Sequence, residues 1–264
     1  MVYDPTRQWE RYGALDPYYG VLSEPDFHRS RLDKTTRERF FESGRRHVAE
    51  SLAMIESAVG AGLECRVALD YGCGVGRLTL PLAERCEHVY GVDVSPSMLH
   101  EATRNAARLG LRNVEWVPAE RLEELSGTYD LVHSFLVFQH IPVREGERIF
   151  AALVRGLRPG GVGSIQVALR PSHPATGAFH WTMKSVPFAY NLVNVARRRA
   201  WSYPHMQMNH YSLNRLGRLL AQAGIAEWHT RFLAGLGRMS HDSAVIVFRK
   251  QQLVAGPLPP ARDR

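Results

Sequence analysis

The sequence has few cysteines and no long hydrophobic run. Its three cysteines, Cys65, Cys73 and Cys86, form no C-x-x-C pair, a pattern that argues against a disulfide scaffold and fits a reducing cytoplasm. We expect all three to be ordinary small side chains. No segment approaches the roughly 18 uninterrupted apolar residues of a membrane span, and the polar first residues lack the features of a signal peptide. We therefore expect a soluble, cytoplasmic protein.

The charges are not balanced. The chain has 33 Lys and Arg against 26 Asp and Glu, a formal net charge of +7 and a pI near 9.6. Such an excess favours binding to nucleic acid, an anionic membrane or an acidic substrate. Two basic clusters lie at 31–47 and 195–201. A solvated helix face or a helix end accounts for each cluster at least as well as a partner does, so charge alone does not identify a partner.

From position 66 onward, short apolar runs alternate with helical patterns. Helices are predicted over 77–86, 96–109 and 143–157, and another begins at Ser212 and stops at Gly224. The predicted strands are RVALDY, HVYGVDV, NVEWV, YDLVHSFLV, GVGSIQVAL, EWHTRFL and DSAVIVFRK. The alternation indicates right-handed crossovers and a parallel sheet covered on both faces, with the last two strands paired at one edge. The predicted fold class is α/β, a doubly wound and mostly parallel sheet.

The chain outside the alternating region has a different character. A helix with a Thr35 and Glu38 capping box is predicted over 35–59. After the fifth strand the regular pattern stops, and long insertions of this kind are usually lids or binding loops. The predicted divisions are an irregular, aromatic-rich N-terminal cap at 1–34, a domain at 35–250, a lid-like insertion within it at 170–211, and a disordered tail at 251–264.

The most informative segment is VALDYGCGVG, residues 67–76, where the first predicted strand ends. Its glycines, Gly72, Gly74 and Gly76, are spaced G-x-G-x-G, whereas a dinucleotide fold uses G-x-G-x-x-G. Asp70 discriminates better than the glycines. A carboxylate beside a pyrophosphate would repel two negative charges, but it attracts an ammonium or sulfonium group. The loop therefore predicts a cofactor with positive charge where a dinucleotide carries negative charge.

The motif ALDYGCGVGRL, together with the region 64–169 around it, resembles the class I S-adenosylmethionine-dependent methyltransferases of the small-molecule type. That cofactor has an ammonium group for an acid to bind, a carboxylate for N–H groups near a helix start, and no phosphate. The resemblance implies a Rossmann-like sheet of seven strands whose last strand is antiparallel. It also implies that Asp70 and the three glycines hold the methionine part of S-adenosylmethionine.

Further cofactor contacts are expected after the second, third and fourth strands. Asp93 ends the second strand, where a carboxylate can accept both hydroxyls of a ribose; alternatively, it only caps the next helix. Met98 can lie against adenine. Many relatives have an acid at the position of Pro118, so here a backbone amide at Ala119 and the side chain of Glu120 would read the adenine edge. The predicted cofactor residues are Asp70, Gly72, Gly74, Gly76, Asp93, Val94, Met98, Ala119, Glu120, Ser134 and Phe135.

The segment SFLVFQHIP, after the fourth strand, occupies the place where relatives present the methyl group to the acceptor. It has no [DN]-P-P-[YF] motif, no Pro-Cys nucleophile and no acidic pair for a metal ion. We therefore expect metal-independent methylation of a small molecule, with nucleic acid disfavoured. Alignment of the reactants supplies roughly 7 to 11 kcal/mol in such a reaction. His140 is the candidate general base for a hydroxyl proton; alternatively, it orders the loop.

Aromatic side chains of the cap and the insertion are the candidates for binding the acceptor. Tyr18 and Tyr19 can close over the sulfonium or the acceptor through cation–π contacts, or they only pack the cap. His205, His210 and Tyr211 follow the fifth strand and are predicted to line the acceptor pocket. The spacing of His205 and His210 separates them on a strand and on a helix, so no metal site is predicted.

The sequence thus predicts an enzyme that transfers a methyl group from S-adenosylmethionine to oxygen or nitrogen of a small metabolite, with a saccharide or other secondary metabolite as the first choice. One alternative is an RNA-directed enzyme that uses the basic clusters. Another is a lipid-directed enzyme that touches a membrane through FAYNLVNVARRRAW. A non-catalytic S-adenosylmethionine-binding protein is a third. The sequence does not indicate the acceptor atom or the oligomeric state.

Overall fold

The computed structural model describes residues 4–60, 65–186, 188–233 and 241–251, and in these residues seven strands form one sheet. The strands are β1 (Val67–Tyr71), β2 (His88–Asp93), β3 (Val114–Pro118), β4 (Tyr129–Ser134), β5 (Leu157–Pro171), β6 (Trp228–Leu233) and β7 (His241–Arg249). Their order in the sheet is β3-β2-β1-β4-β5-β7-β6. Strands β1 to β5 run parallel, and β7 is antiparallel to both of its neighbours. The predicted fold class and the antiparallel last strand are confirmed.

Helices cover both faces of this sheet. They are α1 (Pro5–Leu15), α2 (Pro17–Val21), α3 (Lys34–Val59), α4 (Thr79–Ala83), α5 (Pro96–Leu109), α6 (Val143–Gly156), α7 (Pro174–Ser185), α8 (Ala189–Ala196) and α9 (Leu213–Gln222). One core cluster packs α6 and α9 against the sheet through residues such as Phe150 and Leu216. A second packs α3 and α4 through Ile55 and Leu82. Because both faces are covered, β5 is buried continuously from 161 to 168.

Helix α5 shows how directly local chemistry sets an element. The Ser95 side chain accepts a hydrogen bond from the Met98 N–H, Pro96 occupies the first helical position, and Gly110 ends the helix with a φ of 70°. A polar N-cap, a proline just inside the start and a glycine just past the end are the preferred terminating residues of a helix. The bounds predicted from the sequence, 96–109, are those of the structure.

The N-terminal cap differs from its prediction. It is helical rather than irregular, because Asp4 caps α1 and a proline starts each of α1 and α2. The capping box of α3 is formed by Asp33 and Thr36, which exchange side-chain to backbone hydrogen bonds, and not by the predicted pair. The predicted tail beyond position 251 lies outside the described residues.

Two of the three cysteines are also placed differently from the prediction. Cys65 and Cys86 form a disulfide whose Cα atoms are 5.4 Å apart. The topology explains the encounter, because they precede two adjacent parallel strands in which Val67 pairs with His88. The expectation that both are ordinary unpaired side chains is wrong. Cys73 is buried and is not disulfide-bonded.

Candidate active site

A cavity of about 620 Å³, called the main cavity below, lies at the carboxyl ends of β1, β2 and β4. In a doubly wound sheet this edge is where neighbouring crossovers leave a crevice for a ligand. The loop after β1 forms one wall, and the segment after β4 forms another. Residues of α1 and α2 complete the enclosure, including Trp9 and Val21.

The glycine loop takes a backbone conformation that favours glycine at each of its three glycine positions. The φ angles are +76° at Gly72, +54° at Gly74 and +88° at Gly76. At Gly74 the approach is close as well, because an added Cβ atom would lie 2.4 Å from Cγ2 of Val21. Glycine is therefore required at this position both by the turn and by the side chain that the cap lays over it.

Asp93 joins the glycine loop to the start of α5. Its Oδ2 accepts the Gly74 N–H at 2.8 Å, and its Oδ1 accepts the Ser95 N–H at 2.9 Å. Burial raises the pKa of Asp93 to about 6 in spite of these two bonds, which favour the charged form. Each carboxylate oxygen can accept a second hydrogen bond. Asp93 is thus placed to receive two hydroxyl groups from a ligand in the main cavity.

Asp70 lies at the bottom of the loop beside a cation that the sequence reading missed. Its Oδ2 accepts the Thr79 hydroxyl at 2.7 Å, and its Oδ1 lies 3.3 Å from Nδ1 of His133. The buried guanidinium of Arg77 also lines the main cavity. Burial lowers the pKa of Arg77 to about 10, and the negative charge of Asp70 opposes this shift. A ligand at this end of the main cavity would therefore meet both the carboxylate of Asp70 and the guanidinium of Arg77.

The guanidinium of Arg77 does not use all of its hydrogen-bond donors within the described residues. One of its amino groups donates to Ser43 Oγ at 3.4 Å, whereas its Nε is buried and has no hydrogen-bond partner among the described residues. A buried polar group without a partner carries a desolvation cost. A ligand carboxylate in the main cavity would remove that cost.

The segment after β4 presents a strained residue to the main cavity. Leu136 has a φ of 64°, which costs a non-glycine residue on the order of 1–3 kcal/mol. Its N–H donates to Oε1 of Gln166 at 2.9 Å, which holds the conformation. Phe135, Leu136 and Val137 consequently line the wall together. The neighbouring Ser134 instead donates its hydroxyl to the Tyr71 carbonyl at 2.9 Å.

His140 lines the same cavity and is itself buried. Its Nδ1 donates to the Gln207 carbonyl at 3.0 Å, and its Nε2 faces Nε2 of Gln139 at 3.2 Å. Trp9 packs edge-on against the imidazole, with ring centroids 5.0 Å apart. Burial lowers the pKa of His140 to about 4. At neutral pH the ring is therefore uncharged, with its proton on Nδ1.

The cap and the insertion are bonded to each other beside the main cavity. The Tyr12 hydroxyl donates to the Pro204 carbonyl at 2.9 Å, and the His205 N–H donates to Oε1 of Gln8 at 3.2 Å. The ring of Tyr12 also contacts that of Tyr203. Helix α1 is thus attached to the insertion on one side, while its residues Pro5, Thr6 and Trp9 face the cavity.

The structure brings most of the predicted cofactor residues together. All of them line the main cavity except Gly76 and Ser134. Prominent residues that the sequence reading missed are Trp9, Val21, Arg77, Leu122, Leu136, Val137, Ile141, Arg144, Glu145 and Ile149. Nothing local distinguishes the cap residues as cavity residues, because α1 and α2 reach the site only through tertiary packing. The spacing from the glycine loop could have identified Arg77.

The five predicted acceptor residues do not line the main cavity. The Tyr18 hydroxyl bonds to Glu101 and Asn105 of α5, and Tyr19 stacks on His28. Both tyrosines therefore fix the cap from outside the main cavity, and their predicted placement is wrong.

The three insertion residues also serve in packing. His205 stacks on Tyr190, and His210 stacks on His241. The buried Tyr211 donates its hydroxyl to the Ile141 carbonyl at 2.8 Å. The His205–Tyr190 contact lies within the insertion, whereas the contacts of His210 and Tyr211 join the insertion to β7 and to the segment after β4.

The described residues contain no group of three His, Cys, Asp or Glu side chains that could hold a metal ion. The same residues include no helix that combines the length and apolar character needed to cross a membrane. Whether the reaction is metal-independent stays a prediction.

Comparison with known proteins shows what the central part of the chain is similar to. Residues 68–161 match the family model described as a methyltransferase domain. Trans-aconitate 2-methyltransferase of Deinococcus radiodurans is 36% identical over 107 residues, which are 40% of this chain and 39% of that protein. Ubiquinone biosynthesis O-methyltransferase of Acinetobacter baylyi is 33% identical over 103 residues, 38% of this chain and 42% of that protein. The chain thus spans about two fifths of the length of these curated relatives.

A solved structure extends the likeness of fold to almost the whole chain. Magnesium protoporphyrin IX methyltransferase from Synechocystis PCC 6803, crystallised with SAH, superposes with a TM-score of 0.59 at 18% identity. The match covers 94% of this chain and 100% of that structure. The predicted resemblance and the Rossmann-like methyltransferase fold are confirmed.

Proposed function

We propose that this chain, whose residues 68–161 match a methyltransferase domain, transfers a methyl group from S-adenosylmethionine to oxygen or nitrogen of a small molecule. The observation that carries the proposal is the position of Asp93. Its carboxylate lies at the end of β2, is bonded to the glycine loop at Gly74, and opens into the main cavity. The named relatives act on trans-aconitate and in ubiquinone biosynthesis, which supports a small-molecule acceptor.

The residues of the main cavity fit S-adenosylmethionine from one end to the other. Asp93 would accept the ribose hydroxyls, whereas Asp70 and Arg77 would meet the ammonium and carboxylate groups of the methionine part. Met98 and Leu122 line the main cavity and would provide apolar contact for adenine. Ala119, Glu120 and Val94 also line the main cavity and would lie on the adenine side of the cofactor. When bound, the cofactor supplies a methyl group on a positively charged sulfur.

The acceptor would bind between the cap and the segment after β4. Trp9, Val137 and Ile141 make this region apolar. At the start of α6 Arg144 adds positive charge, whereas the charge of Arg148 is paired with that of Glu145. Within the class of secondary metabolites we therefore favour an acceptor with an apolar ring and an acidic group over a saccharide. The cap and the insertion would act together as the lid of the main cavity, because they are bonded to each other and not only to the sheet.

His140 fits a positioning role better than that of a general base. A base near its working pH is the most effective, whereas burial holds the pKa of His140 near 4. Its Nε2 lone pair also faces the Gln139 amide. Through Nδ1 the ring holds Gln207 of the insertion against the cavity wall. The methyl transfer would then depend chiefly on alignment of the reactants.

Calorimetry with S-adenosylhomocysteine tests the cofactor part of the proposal. We expect one binding site per chain, and no binding of NAD⁺ under the same conditions. Tight binding of NAD⁺ without binding of S-adenosylhomocysteine would contradict it. Incubation with methyl-labelled cofactor and an extract of small molecules, followed by mass spectrometry, would then identify the acceptor. Binding without any labelled product would favour a non-catalytic cofactor-binding protein instead.

A lipid-directed reaction is a second candidate, favoured by one observation. Large apolar side chains are exposed along α7, α8 and the segment after them: Phe179, Trp181, Val186, Phe188, Leu192, Val195 and Trp201. Trp181 is 68% exposed and Phe188 is 62% exposed, and the exposed Arg197 and Arg198 lie directly after α8. Aromatic and aliphatic side chains beside arginine are suited to the surface of a bilayer with anionic lipids.

Flotation with vesicles separates these candidates. Binding to vesicles that contain phosphatidylglycerol, but not to purely zwitterionic ones, would support an acceptor that resides in the membrane. An RNA-directed enzyme would instead bind oligonucleotides with an affinity that falls steeply with salt. A cytoplasmic location is part of the main proposal. Alkylation of thiols in intact cells would test it, because a reducing compartment should open the Cys65–Cys86 disulfide that the structure contains.

A further inference from the structure

A second cavity, of about 670 Å³, lies between the cap, α3 and α5. Gly13, Ala14, Pro17 and Tyr18 line it from the cap, and Pro96 and Ser97 line it from the start of α5. We call it the arginine cavity, because its remaining lining residues are Arg29, Leu32, Arg37, His100, Glu101, Arg104 and Arg108. None of these residues lines the main cavity.

The charges in the arginine cavity do not cancel. Among the residues that line it, four arginines stand against one carboxylate, that of Glu101. The carboxylates of Glu10 and Asp16 accept hydrogen bonds from the lining residues Ser97 and Arg29 but do not line the cavity themselves. Arg104 and Arg108 each lie 3.2 Å from one oxygen of Glu101, and the Tyr18 hydroxyl bonds to it at 2.9 Å. Glu101 is therefore fully engaged, and the lining carries an excess of three positive charges. Like charges gathered in one cavity repel each other unless an anion neutralises them.

Arg37 shows most directly that the cavity is prepared for an anion. Its guanidinium lies 5.8 Å from the centre of the Tyr18 ring. Its Nε is buried and has no hydrogen-bond partner among the described residues. A guanidinium presents a planar fork that pairs with two oxygens of one anion. An oxyanion between Arg37 and the arginines of α5 would neutralise the excess positive charge and give the guanidinium of Arg37 an anionic partner.

We propose that the arginine cavity binds a small oxyanion with more than one negative charge, such as a phosphate ester or a polycarboxylate. Arg29 and Arg37 would hold it from the cap side and α3, and Arg104 and Arg108 from α5. The anion would therefore join three segments that are far apart in the sequence, and so stabilise the cap on α5.

The cap connects this cavity to the main one. Helix α1 approaches α5 so closely that a Cβ atom on Gly13 would lie 2.5 Å from Ser95 Oγ. Glu10 of α1 accepts the hydroxyl of Ser97 at 2.6 Å. In the second helix of the cap, α2, Val21 covers Gly74. An anion that fastens the cap would consequently strengthen the enclosure of the main cavity and raise the affinity for a ligand there.

Calorimetry with inorganic pyrophosphate and, separately, with citrate tests the site in the full chain at constant ionic strength. We expect one site for at least one of the two probes, and the preferred probe shows whether phosphate or carboxylate is the better ligand. Arg37→Gln and Arg104→Gln should each weaken binding by at least tenfold. Arg121→Gln is the matched control, because Arg121 is an exposed arginine paired with Glu124 outside the cavity.

The proposal is overturned if neither probe binds, or if Arg37→Gln and Arg121→Gln weaken binding equally, since that result would reflect net charge alone. Binding of RNA without binding of either small anion would also overturn it. The coupling is tested by titrating S-adenosylhomocysteine with and without the bound anion. We expect the anion to tighten binding several-fold in the parent chain and not in Arg37→Gln. Because anion binding is measured without cofactor, its failure is distinct from failure of the proposed methyltransferase function.

Discussion

The main cavity lies between a sheet wall, formed by the loops after β1 and β2, and a lid wall, formed by the cap and the insertion bonded to it. These two walls are held in place by different kinds of contact. On the sheet side, Asp93 accepts two backbone N–H groups within 20 residues of itself, and Asp70 accepts the hydroxyl of Thr79. On the lid side, the bonds cross long stretches of chain, as between Tyr12 and Pro204, 192 residues apart. The sheet wall therefore follows from one motif and its neighbours. The lid wall exists only once the whole chain has folded.

Among changes in the sheet wall, Asp93→Ala is expected to have the largest effect on ligand affinity. The substitution removes an acceptor from the N–H groups of Gly74 and Ser95 and from the two ribose hydroxyls that we propose it binds. Hydrogen bonds to a charged group contribute about 1.5–3 kcal/mol each, so we expect the affinity for S-adenosylhomocysteine to fall by about 100-fold or more. Calorimetry measures the change. Glu115→Ala, at an exposed position of β3, should leave the affinity within about twofold, and an equal loss in both variants would refute the assignment of Asp93.

Gly74→Ala tests the contact between the two walls. The new alanine would have to keep a φ of +54°, and its Cβ atom would lie 2.4 Å from Cγ2 of Val21. The backbone cost alone is about 1–2 kcal/mol, so we expect a loss of affinity of about 30-fold. Val21→Ala removes the clash but not the backbone strain. The double variant should therefore recover part of the affinity, whereas strictly additive losses would show that the cap does not cover the loop in solution.

The contrast between the walls explains what the sequence could predict. Helix α5 has its N-cap, proline and glycine within the segment itself, so its bounds were predicted correctly. Asp93 was found because a strand ends at it. By contrast, the side chains of Tyr18 and Tyr211 were expected in the acceptor pocket but are bonded to Glu101 and to the Ile141 carbonyl. An aromatic residue in a cap can pack inward or line a cavity, and only the tertiary partners decide between these outcomes.

Acidification should weaken the sheet wall in a graded way. Burial raises the pKa of Asp93 to about 6, and the protonated carboxyl group loses part of its capacity as an acceptor. Affinity for S-adenosylhomocysteine should therefore be greatest above pH 6 and fall by about tenfold by pH 5. The contribution of Asp93 to the stability of the unliganded protein runs the other way. Because its folded pKa is above that of the unfolded chain, this contribution decreases as pH rises from about 4 to about 6. In Asp93→Ala both trends should disappear.

A substitution of His140 tests the contact between the segment after β4 and the insertion, because His140 contacts Gln139 and Gln207. If it positions Gln139 and Gln207, His140→Asn should lose one hydrogen bond worth about 1 kcal/mol and slow turnover about fivefold. The rate of the parent enzyme should then show no titration of His140 between pH 6 and 8, because the pKa of His140 is near 4. If turnover in His140→Asn instead slows by about 100-fold or more, and a rate transition in the parent profile is lost with it, His140 is a general base.

The smallest effect on the site is expected at the outer surface of the lid. Trp181 and Trp201 are exposed and make no contact with the main cavity, so changing both to serine should alter the affinity for S-adenosylhomocysteine by less than about twofold, as is usual for surface substitutions. Binding to anionic vesicles should nevertheless fall strongly, because tryptophan contributes much of the apolar area at such a surface. Arg121→Gln controls for net charge. Unchanged vesicle binding in the double variant would show that the exposed apolar surface is not a membrane contact, and the lid would then act only on the cavity beneath it.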